Sequence, residues 1–244
     1  MQRDEQPLFL DDRTDDKANF LMTKYTKKVL RAFEETDWLA ALEQRLKGVL
    51  PGMPVQLTMT PRPRPGHKTY KEVGDSSLRA GVLLLLYSWN GRWHFILTKR
   101  TERLSHHQAQ ISLPGGRQDH GESLTQTALR EAREELGIIP ESVQILGMLT
   151  PLYIPPSNYC IYPVVSAVSE RPNFSPSPKE VAETIEVPVD HFLDGDNRVE
   201  ETWTIRGDKV SVPFYVFQGH KIWGATAMVL AEFLELVKDA MRRE

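Results

Sequence analysis

The segment 115–138 constrains the fold most, because it contains the signals for both ends of a helix. Ser123, followed three positions later by Gln126, forms a capping box, which predicts that the helix begins at Leu124. Gly137 suits the left-handed position just past a helix end, so the helix is expected to stop there. A turn of 3.6 residues places the apolar side chains in one stripe, which should pack on a core. This stripe consists of Leu124, Ala128, Leu129, Ala132 and Leu136.

A second stripe on the same helix is acidic and consists of Glu131, Glu134 and Glu135. Glu131 and Glu135 are like charges one turn apart, which costs about 0.2–0.5 kcal/mol. Glu134 and Glu135 also lie at the negative end of the helix dipole, at about 0.3–1 kcal/mol each. One interpretation is a solvated acidic face. The other is a site for a divalent cation, because broken local rules often mark functional sites, and all-oxygen ligands favour Mg²⁺ or Mn²⁺.

The loop before this helix, Leu113-Pro114-Gly115-Gly116, adds a second signal. Two consecutive glycines let the backbone approach a ligand closely and expose its amides and carbonyls. A glycine pair alone most often marks a turn. Next to a helix with three glutamates on one face, however, it predicts a site that binds phosphate and metal.

The composition argues against several classes of function. A net charge of −3 gives no broad electrostatic basis for binding nucleic acid or an anionic membrane. The longest apolar run, 80–87, is far shorter than a bilayer span, and the first residues lack the apolar centre of a signal peptide. Cys160 is the only cysteine, so no intrachain disulfide can form. We therefore expect a cytoplasmic protein with no nucleic-acid or membrane partner.

The sequence divides into three parts. Residues 1–21 form a polar extension that is expected to be flexible, and Met22 is an alternative to Met1 as the start of translation. Residues 22–79 carry helical periodicity followed by a proline-rich loop, and are expected to pack on the core. Residues 80–244 form the main domain.

In the main domain, predicted strands outnumber helices. Asn90-Gly91 predicts a tight hairpin between strands at 80–88 and 92–100. Further strands are predicted at 143–149, 161–168, 183–187, 201–205 and 210–217, with a final helix at 225–241. This pattern predicts an α+β fold in which helices cover a mixed sheet.

The helix and its loop together resemble the Nudix box, the sequence signature of the Nudix hydrolases. The matching positions are Gly116, Glu122, Arg130, Glu131, Ala132, Glu134, Glu135, Gly137 and Ile138. Only Ala132 is small for its place in the pattern. The resemblance implies the Nudix fold, a mixed β-sheet sandwiched between helices. It also implies hydrolysis of a nucleoside diphosphate linked to another moiety, with Mg²⁺ or Mn²⁺ as cofactor.

Carried over by position, the resemblance implies that Glu131, Glu134 and Glu135 bind metal and act in catalysis. The carbonyl of Gly115 is a further candidate metal ligand. Arg130 is counted with the catalytic residues, because it is expected to orient the glutamates through charge-assisted hydrogen bonds.

Two assignments stay open at this stage. Glu122 either binds a second metal ion or is a residue of the loop and helix entry. Nudix proteins often recruit a later carboxylate as base or ligand. The general base is therefore either Glu131 or one of Glu180, Glu183 and Glu186.

The flanking segments resemble the coenzyme A pyrophosphatase subfamily. Before the box, Leu97, Thr98, Arg100, Pro114, Gly115 and Gly116 match its pattern, whereas Ser105, Ala109 and Leu113 replace Arg, Gly and Phe. Segments 150–159 and 220–230 are also similar. The resemblance implies that coenzyme A or a derivative is hydrolysed to 3′,5′-ADP and 4′-phosphopantetheine.

The residues expected to contact the substrate are Arg100, Gln110, Gly115, Gly116 and Trp223. Trp223 is a candidate for stacking on a base, although a tryptophan before a helix is more often part of a core. His106 and His107 suit a loop or substrate-contact role better than a metal site, because an oxygen-loving cation is expected.

The main alternative is a Nudix enzyme that acts on ADP-ribose, NADH or dinucleoside polyphosphates. A third interpretation is a non-catalytic Nudix module that senses a nucleotide. Such a module would show a broken glutamate set or an attached DNA-binding domain, whereas the glutamate set is intact and residues 1–79 show no such pattern. A homodimer is compatible with each of these interpretations.

Overall fold

The structure, a computed structural model, describes residues 37–63, 68–101, 110–193, 195–205 and 207–242. The predictions for the extension 1–21, for the helical periodicity before residue 37, and for His106 and His107 lie outside the described residues.

Helices and strands follow one another along the described chain. The helices are α1 (Asp37–Leu46), α2 (Met53–Gln56), α3 (Tyr70–Val73), α4 (Leu124–Leu136) and α5 (Gly224–Met241). The strands are β1 (Leu78–Trp89), β2 (Arg92–Arg100), β3 (Ile111–Ser112), β4 (Gly115–Arg117), β5 (Gln144–Met148), β6 (Leu152–Ile154), β7 (Tyr159–Val168), β8 (Val181–Pro188), β9 (Arg198–Ile205), β10 (Asp208–Phe217) and β11 (His220–Trp223).

Strand β1 lies at the centre of a mixed sheet of eight strands. It runs parallel to β7 from Leu78 to Tyr87, and antiparallel to β2 across the predicted Asn90-Gly91 hairpin. Strand β8 pairs with β2, and β5 pairs with β7. Helices α4 and α5 cover opposite faces of this sheet. The predicted α+β fold with a helix-covered mixed sheet is therefore confirmed.

Both faces of β1 are buried, which explains its continuous apolar run. Leu83 and Leu85 project toward α4, in the cluster that contains Ala128. Leu84 and Leu86 project to the opposite face, in the cluster that contains α5. Because side chains alternate along a strand, this one run supplies two cores.

A glycine in β1 lets α4 lie close to the sheet. A Cβ at Gly81 would be 2.4 Å from the carbonyl oxygen of Leu124 and 3.0 Å from the amide nitrogen of Ala128. Any side chain at this position would push the start of the helix away from the strand. Gly81 also pairs with Gly116 in β4, so the same strand holds the helix and the glycine loop at a fixed separation.

Strands β9, β10 and β11 form a second, antiparallel sheet. The sequence predicted β9 and β10, but it did not predict β11 or the short strands β3, β4 and β6. Those four strands are only two to four residues long. Such short elements have no measurable periodicity, and their pairing depends on distant parts of the chain.

Glu232 joins α5 to the segment that precedes β1. Its fully buried carboxylate accepts hydrogen bonds from the Gly52 amide (3.0 Å), Gln56 Nε2 (2.7 Å) and Thr150 Oγ1 (2.7 Å). The described part of residues 22–79 therefore contacts the main domain, while the domain boundaries stay predictions. Within the described ranges, every helix is too short or too polar to span a bilayer.

Candidate active site

Helix α4 has the ends that the sequence predicted. Ser123 Oγ accepts a hydrogen bond from the Gln126 amide (3.2 Å), and Gln126 Oε1 accepts one from the Ser123 amide (2.8 Å). Gly137 follows the last turn with φ 71°, in the left-handed region. These ends fix which side chains face the sheet, and therefore the direction of the acidic stripe.

The three glutamates of α4 differ in exposure. The side chain of Glu134 is 53% exposed, that of Glu131 is 15% exposed and that of Glu135 is 3% exposed. A solvated acidic face would leave all three in water. That interpretation is wrong for Glu135, because the stripe runs from the surface into the protein.

Glu135 is a buried carboxylate with an incomplete set of partners. The Arg100 guanidinium lies 3.7 Å from Glu135 Oε1, and among the described residues Oε2 has no hydrogen-bond partner. Burial raises the pKa of Glu135 to about 8, although the positive charge of Arg100 opposes the shift. A buried oxygen without a partner is costly, so an additional positive ligand at this position would be stabilising.

Gly116 leaves room for the carboxylate of Glu131. A Cβ at Gly116 would lie 2.5 Å from Glu131 Cδ, and 2.5 and 2.6 Å from the two carboxylate oxygens. Burial raises the pKa of Glu131, and hydrogen bonding from Arg130 opposes this rise. A side chain at Gly116 would therefore displace the carboxylate of Glu131.

Gly115 lies close to the protein's own backbone. It belongs to β4 with φ 156°, and a Cβ there would be 2.4 Å from the Gly81 carbonyl oxygen and 2.6 Å from Val82 Cα. Its backbone also hydrogen-bonds the carboxylate of Glu135. The volumes that side chains at Gly115 and Gly116 would take are therefore occupied by β1 and by Glu131. A backbone contact between these glycines and a substrate stays a prediction.

Arg130 connects the acidic side chains around it. Its Nη1 donates to Glu131 Oε1 (2.8 Å) and Glu134 Oε2 (3.3 Å), and its Nε donates to Glu122 Oε1 (2.7 Å). Its Nη2 also donates to the carbonyl oxygen of Arg117 (3.0 Å). The structure thus brings Arg130 together with two of the glutamates that it was expected to orient.

Glu122 is bound within the loop that enters α4. Its Oε2 accepts hydrogen bonds from Thr127 Oγ1 (2.9 Å) and from the Asp119 amide (3.3 Å). Hydrogen bonding from Arg130 is the main reason that the pKa of Glu122 falls to about 2. These contacts match the structural role considered for Glu122, and its role as a ligand to a second metal stays a prediction.

Across the described residues, no three carboxylate, imidazole or thiol side chains converge into a preformed metal cage. Arg130 is hydrogen-bonded to the carboxylates of Glu131 and Glu134, whereas the carboxylate of Glu135 faces Arg100. The donor set still fits a hard divalent cation, because it consists of carboxylate oxygens and includes the unpartnered Oε2 of Glu135. Glu131, Glu134 and Glu135 are therefore the residues that could hold such an ion.

The loop 173–180 docks on the end of α4, a role that the sequence did not reveal. The Ser175 amide donates to the carbonyl of Leu136, and the Ser177 amide donates to that of Glu135, both at 2.8 Å. Carbonyls in the last turn have no partner within the helix, so the loop satisfies two of them. This docking holds the loop against the buried end of the acidic stripe.

Glu180, at the end of this loop, interacts electrostatically with two glutamates of α4. Its negative charge raises the pKa of both Glu131 and Glu135. Its carbonyl accepts a hydrogen bond from the Thr101 amide (3.1 Å), which ties the loop to the end of β2. Glu180 is therefore part of the same electrostatic environment as the acidic stripe.

The other two later carboxylates, Glu183 and Glu186, are paired elsewhere. Glu183 lies 3.6 Å from Lys99 Nζ and 3.2 Å from His220 Nε2. Glu186 accepts hydrogen bonds from Arg171 Nε and Nη2, both at 2.7 Å. Of the three later carboxylates, Glu180 contributes most to raising the pKa values of Glu131 and Glu135.

Arg100, Gln110 and Trp223 lie at the ends of strands near this site. Arg100 ends β2, and its amide donates to the carbonyl of Gln110 (3.1 Å) just before β3. Trp223 ends β11, which contacts β3, and its ring is half-buried. Sequence reasoning missed Trp203, which contacts Trp223 edge to face with 5.2 Å between ring centroids. The signal for Trp203 was only its place in a predicted strand.

The chain is similar to known proteins. Residues 77–206 match the NUDIX domain. The chain is 33% identical over 184 residues to "Uncharacterized Nudix hydrolase NudL" of Photorhabdus laumondii, across 75% of this chain and 94% of that protein. It is 32% identical over 164 residues to the human "Mitochondrial coenzyme A diphosphatase NUDT8", across 65% of this chain and 69% of that protein. It is 34% identical over 119 residues to the mouse "Peroxisomal coenzyme A diphosphatase NUDT7", across 48% of this chain and 50% of that protein.

The domain match covers just over half of the chain and includes α4 with the loop before it. Two of the relatives are named coenzyme A diphosphatases, which confirms the predicted resemblance to that subfamily. The fold, the acidic helix and the domain match agree, and this chain belongs to the Nudix family of hydrolases.

Proposed function

We propose that this Nudix hydrolase cleaves the diphosphate bond of coenzyme A or its thioesters. The products would be 3′,5′-ADP and 4′-phosphopantetheine, or the acylated form of the latter. The observation that supports this most is that the segment resembling coenzyme A pyrophosphatases lies beside the glutamates of α4. In that segment, Arg100 lies 3.7 Å from Glu135, and Gly116 adjoins Glu131. The similarity to two coenzyme A diphosphatases favours the same substrate.

Nudix hydrolases generally use divalent metal ions, and Mg²⁺ or Mn²⁺ is the proposed cofactor here. Glu131, Glu134 and Glu135 would hold the ion, with the carbonyl of Gly115 as a further candidate. A bound cation of this kind neutralises diphosphate charge and lowers the pKa of an attached water. Burial opposes the ionisation of Glu135, so a neighbouring positive charge is what would make its carboxylate form favourable.

Arg130 and Glu122 are assigned to positioning. Glu122 binds Arg130 at 2.7 Å, and Arg130 in turn donates to Glu131 and Glu134. This series of charge-assisted bonds fixes the orientation of two of the three glutamates. A second metal ion on Glu122 is the less favoured role, because its carboxylate oxygens are already hydrogen-bonded.

Glu180 is the proposed general base. Glu183 and Glu186 are each paired with cations, and Glu131 is held by Arg130. In the proposed step, the Glu180 carboxylate accepts a proton from water, and the water oxygen forms a bond to one phosphorus. The bond from that phosphorus to the bridging oxygen breaks, and the bridging oxygen leaves on the other phosphate.

Three further side chains are proposed to contact the substrate. Arg100 and Gln110 would bind the diphosphate, because a guanidinium and an amide both donate to phosphate oxygens. Trp223 would contact the adenine, since its ring is only half-buried and an indole can stack on a base. The cytoplasmic location and the homodimer stay predictions.

A substrate panel tests this proposal. Coenzyme A, an acyl-coenzyme A, ADP-ribose, NADH and a diadenosine polyphosphate are incubated with the protein and Mg²⁺ or Mn²⁺, and the products are identified by mass. We expect the highest kcat/KM for coenzyme A or its thioester. A preference of about tenfold or more for ADP-ribose would contradict the coenzyme A assignment and favour the alternative Nudix activity. The Glu135→Gln variant sets the background rate.

A further inference from the structure

Arg171 and Glu186 form an ion pair that the catalytic scheme does not use. Arg171 Nε donates to one oxygen of Glu186 and Nη2 to the other, both at 2.7 Å. The hydroxyl of Tyr87, in β1, donates to the same carboxylate at 2.8 Å. Glu186 lies in β8, and Arg171 lies in the segment that follows β7. The bidentate ion pair therefore links that segment to β8, and the hydroxyl of Tyr87 links it to β1.

The guanidinium of Arg171 is also held between aromatic rings. It lies 5.0 Å from the ring centroid of Trp89 and 5.3 Å from that of Phe174. Phe174 packs edge-on against Tyr87, with 5.6 Å between centroids. Cation–π contacts add to the ion pair and restrict the guanidinium to one orientation. These four residues and Glu186 are here called the Arg171 anchor.

The anchor lies at the start of the loop that docks on α4. Phe174 is followed directly by Ser175, whose amide donates to the carbonyl of Leu136 (2.8 Å). Two residues later the Ser177 amide donates to the carbonyl of Glu135 (2.8 Å). The fit is close, because a Cβ at Gly137 would lie 3.0 Å from Ser175 Cβ. A shift of the anchor would therefore move the loop along the end of the catalytic helix.

We propose that Arg171 and Glu186 are positioning residues, which set the place of the 173–180 loop against Glu135 and thereby the place of Glu180. The anchoring of the loop follows from contacts within the protein. Its effect on hydrolysis rests on the proposed function, in which Glu180 accepts the proton. The side chains of Arg171 and Glu186 are 36% and 19% exposed, and partly exposed ion pairs contribute little to global stability. Loss of the ion pair should therefore change the position of the loop more than it changes the free energy of unfolding.

The test compares Arg171→Met with Arg45→Met. Arg45 forms a partly exposed ion pair with Asp239 that joins α1 to α5, on the face of the sheet opposite α4, and serves as the matched control. Deuterium exchange of the Ser175 and Ser177 amides reports on loop docking without any substrate. We expect faster exchange in Arg171→Met and parent-like exchange in Arg45→Met, with similar melting temperatures for both variants.

The kinetic readout is a loss of kcat with little change in KM. We expect Arg171→Met to lower kcat about tenfold or more, since a small displacement of a catalytic group has effects of this size. Arg171→Lys, which keeps the charge and the cation–π contacts, should recover part of that rate. Glu186→Gln keeps the Tyr87 contact and the size of the side chain, and repeats the test if Arg171→Met does not fold.

The outcomes separate two claims, which are that the ion pair anchors the loop and that the loop position controls hydrolysis. Unchanged exchange of Ser175 and Ser177 in Arg171→Met and Glu186→Gln would overturn the anchoring. Faster exchange with a parent-like kcat would overturn the link between loop position and hydrolysis. If the parent protein does not hydrolyse coenzyme A, the proposed substrate fails. The exchange experiment still decides the anchoring, because it requires no substrate.

Discussion

The carboxylate of Glu131 occupies the volume into which a side chain at Gly116 would project, since a Cβ there would lie 2.5 Å from Glu131 Cδ. Gly116 pairs with Gly81 on the neighbouring strand, and a Cβ at Gly81 would lie 2.4 Å from the carbonyl oxygen of Leu124 in α4. Two paired glycines therefore set the spacing between the sheet and the acidic helix. The glycine and the glutamates of the Nudix box are thus connected by packing as well as by sequence.

Gly116→Ala should displace the Glu131 carboxylate. We expect kcat to fall about tenfold or more, because the added methyl group requires Glu131 to move away from its position. Gly195→Ala is the control, since Gly195 has no atom within 4 Å of an added Cβ and should tolerate alanine. Steady-state kinetics of both variants measure the effect. A parent-like kcat in Gly116→Ala would show that the position of Glu131 is not critical.

Arg130→Met should release the carboxylates that Arg130 holds. Glu122 and Glu131 would lose charge-assisted hydrogen bonds of 2.7 and 2.8 Å, so we expect the free energy of unfolding to fall by about 1 kcal/mol. Activity should fall as well, because the glutamates lose their orientation. Arg133→Met, at an exposed position of the same helix, should change stability by less than about 0.5 kcal/mol. Urea unfolding of the two variants gives the comparison, and equal effects would contradict the role of Arg130.

Glu180→Gln should remove the proposed base. We expect kcat to fall about a hundredfold or more with a modest change in KM. Glu183→Gln is the matched control, because Glu183 is in the same segment but pairs with Lys99 and His220. If Glu183→Gln loses kcat to this extent and Glu180→Gln does not, the base has been assigned to the wrong carboxylate.

The metal-free protein should lose stability as pH rises. Burial holds the pKa of Glu135 at about 8, compared with an ordinary value of 4.5, so the folded state binds this proton more tightly than the unfolded state. The resulting stability is fully present below about pH 4.5 and is lost as pH rises through about 8. In chelator, the free energy of unfolding should fall across this window by an amount on the order of a few kcal/mol. Glu135→Gln should show a shallower decline, and parallel curves for the two proteins would contradict the buried, proton-binding state of Glu135.

Local signals in the sequence were sufficient to predict the two ends of α4. The ends of α4 were predictable because Ser123, Gln126 and Gly137 act through contacts within a few residues. The central hairpin was predictable for the same reason, since its turn is formed by Asn90 and Gly91 alone. The prediction that Glu131, Glu134 and Glu135 bind metal also rests on a local signal, because their crowding is costly without a ligand.

Features that depend on distant contacts could not be predicted from the sequence. Glu134 and Glu135 are adjacent in the chain, yet their side chains are 53% and 3% exposed, because the sheet and the 173–180 loop cover only one of them. In the sequence, the loop 173–180 shows only a proline-rich pattern. Its docking on α4 uses backbone amides, and every residue type except proline has such an amide, so the sequence does not reveal it. The proposal that Glu180 is the base likewise depends on the partners of Glu131, Glu183 and Glu186 in the structure.

The central claim is that the glutamates of α4 form a metal site whose repulsion is a cost of the metal-free protein. Melting curves of the parent and of Glu135→Gln, with chelator and with millimolar Mg²⁺, test it most directly. In chelator and above about pH 8, where Glu135 ionises, the variant should be at least as stable as the parent, because it lacks the buried like charge at the helix end. In Mg²⁺ the order should reverse, because the bound ion stabilises the parent more, and hydrolysis by the variant should be lower by about a hundredfold or more. A variant that is clearly destabilised in chelator and hydrolyses substrate at the parent rate would show instead that the glutamates form a structural network.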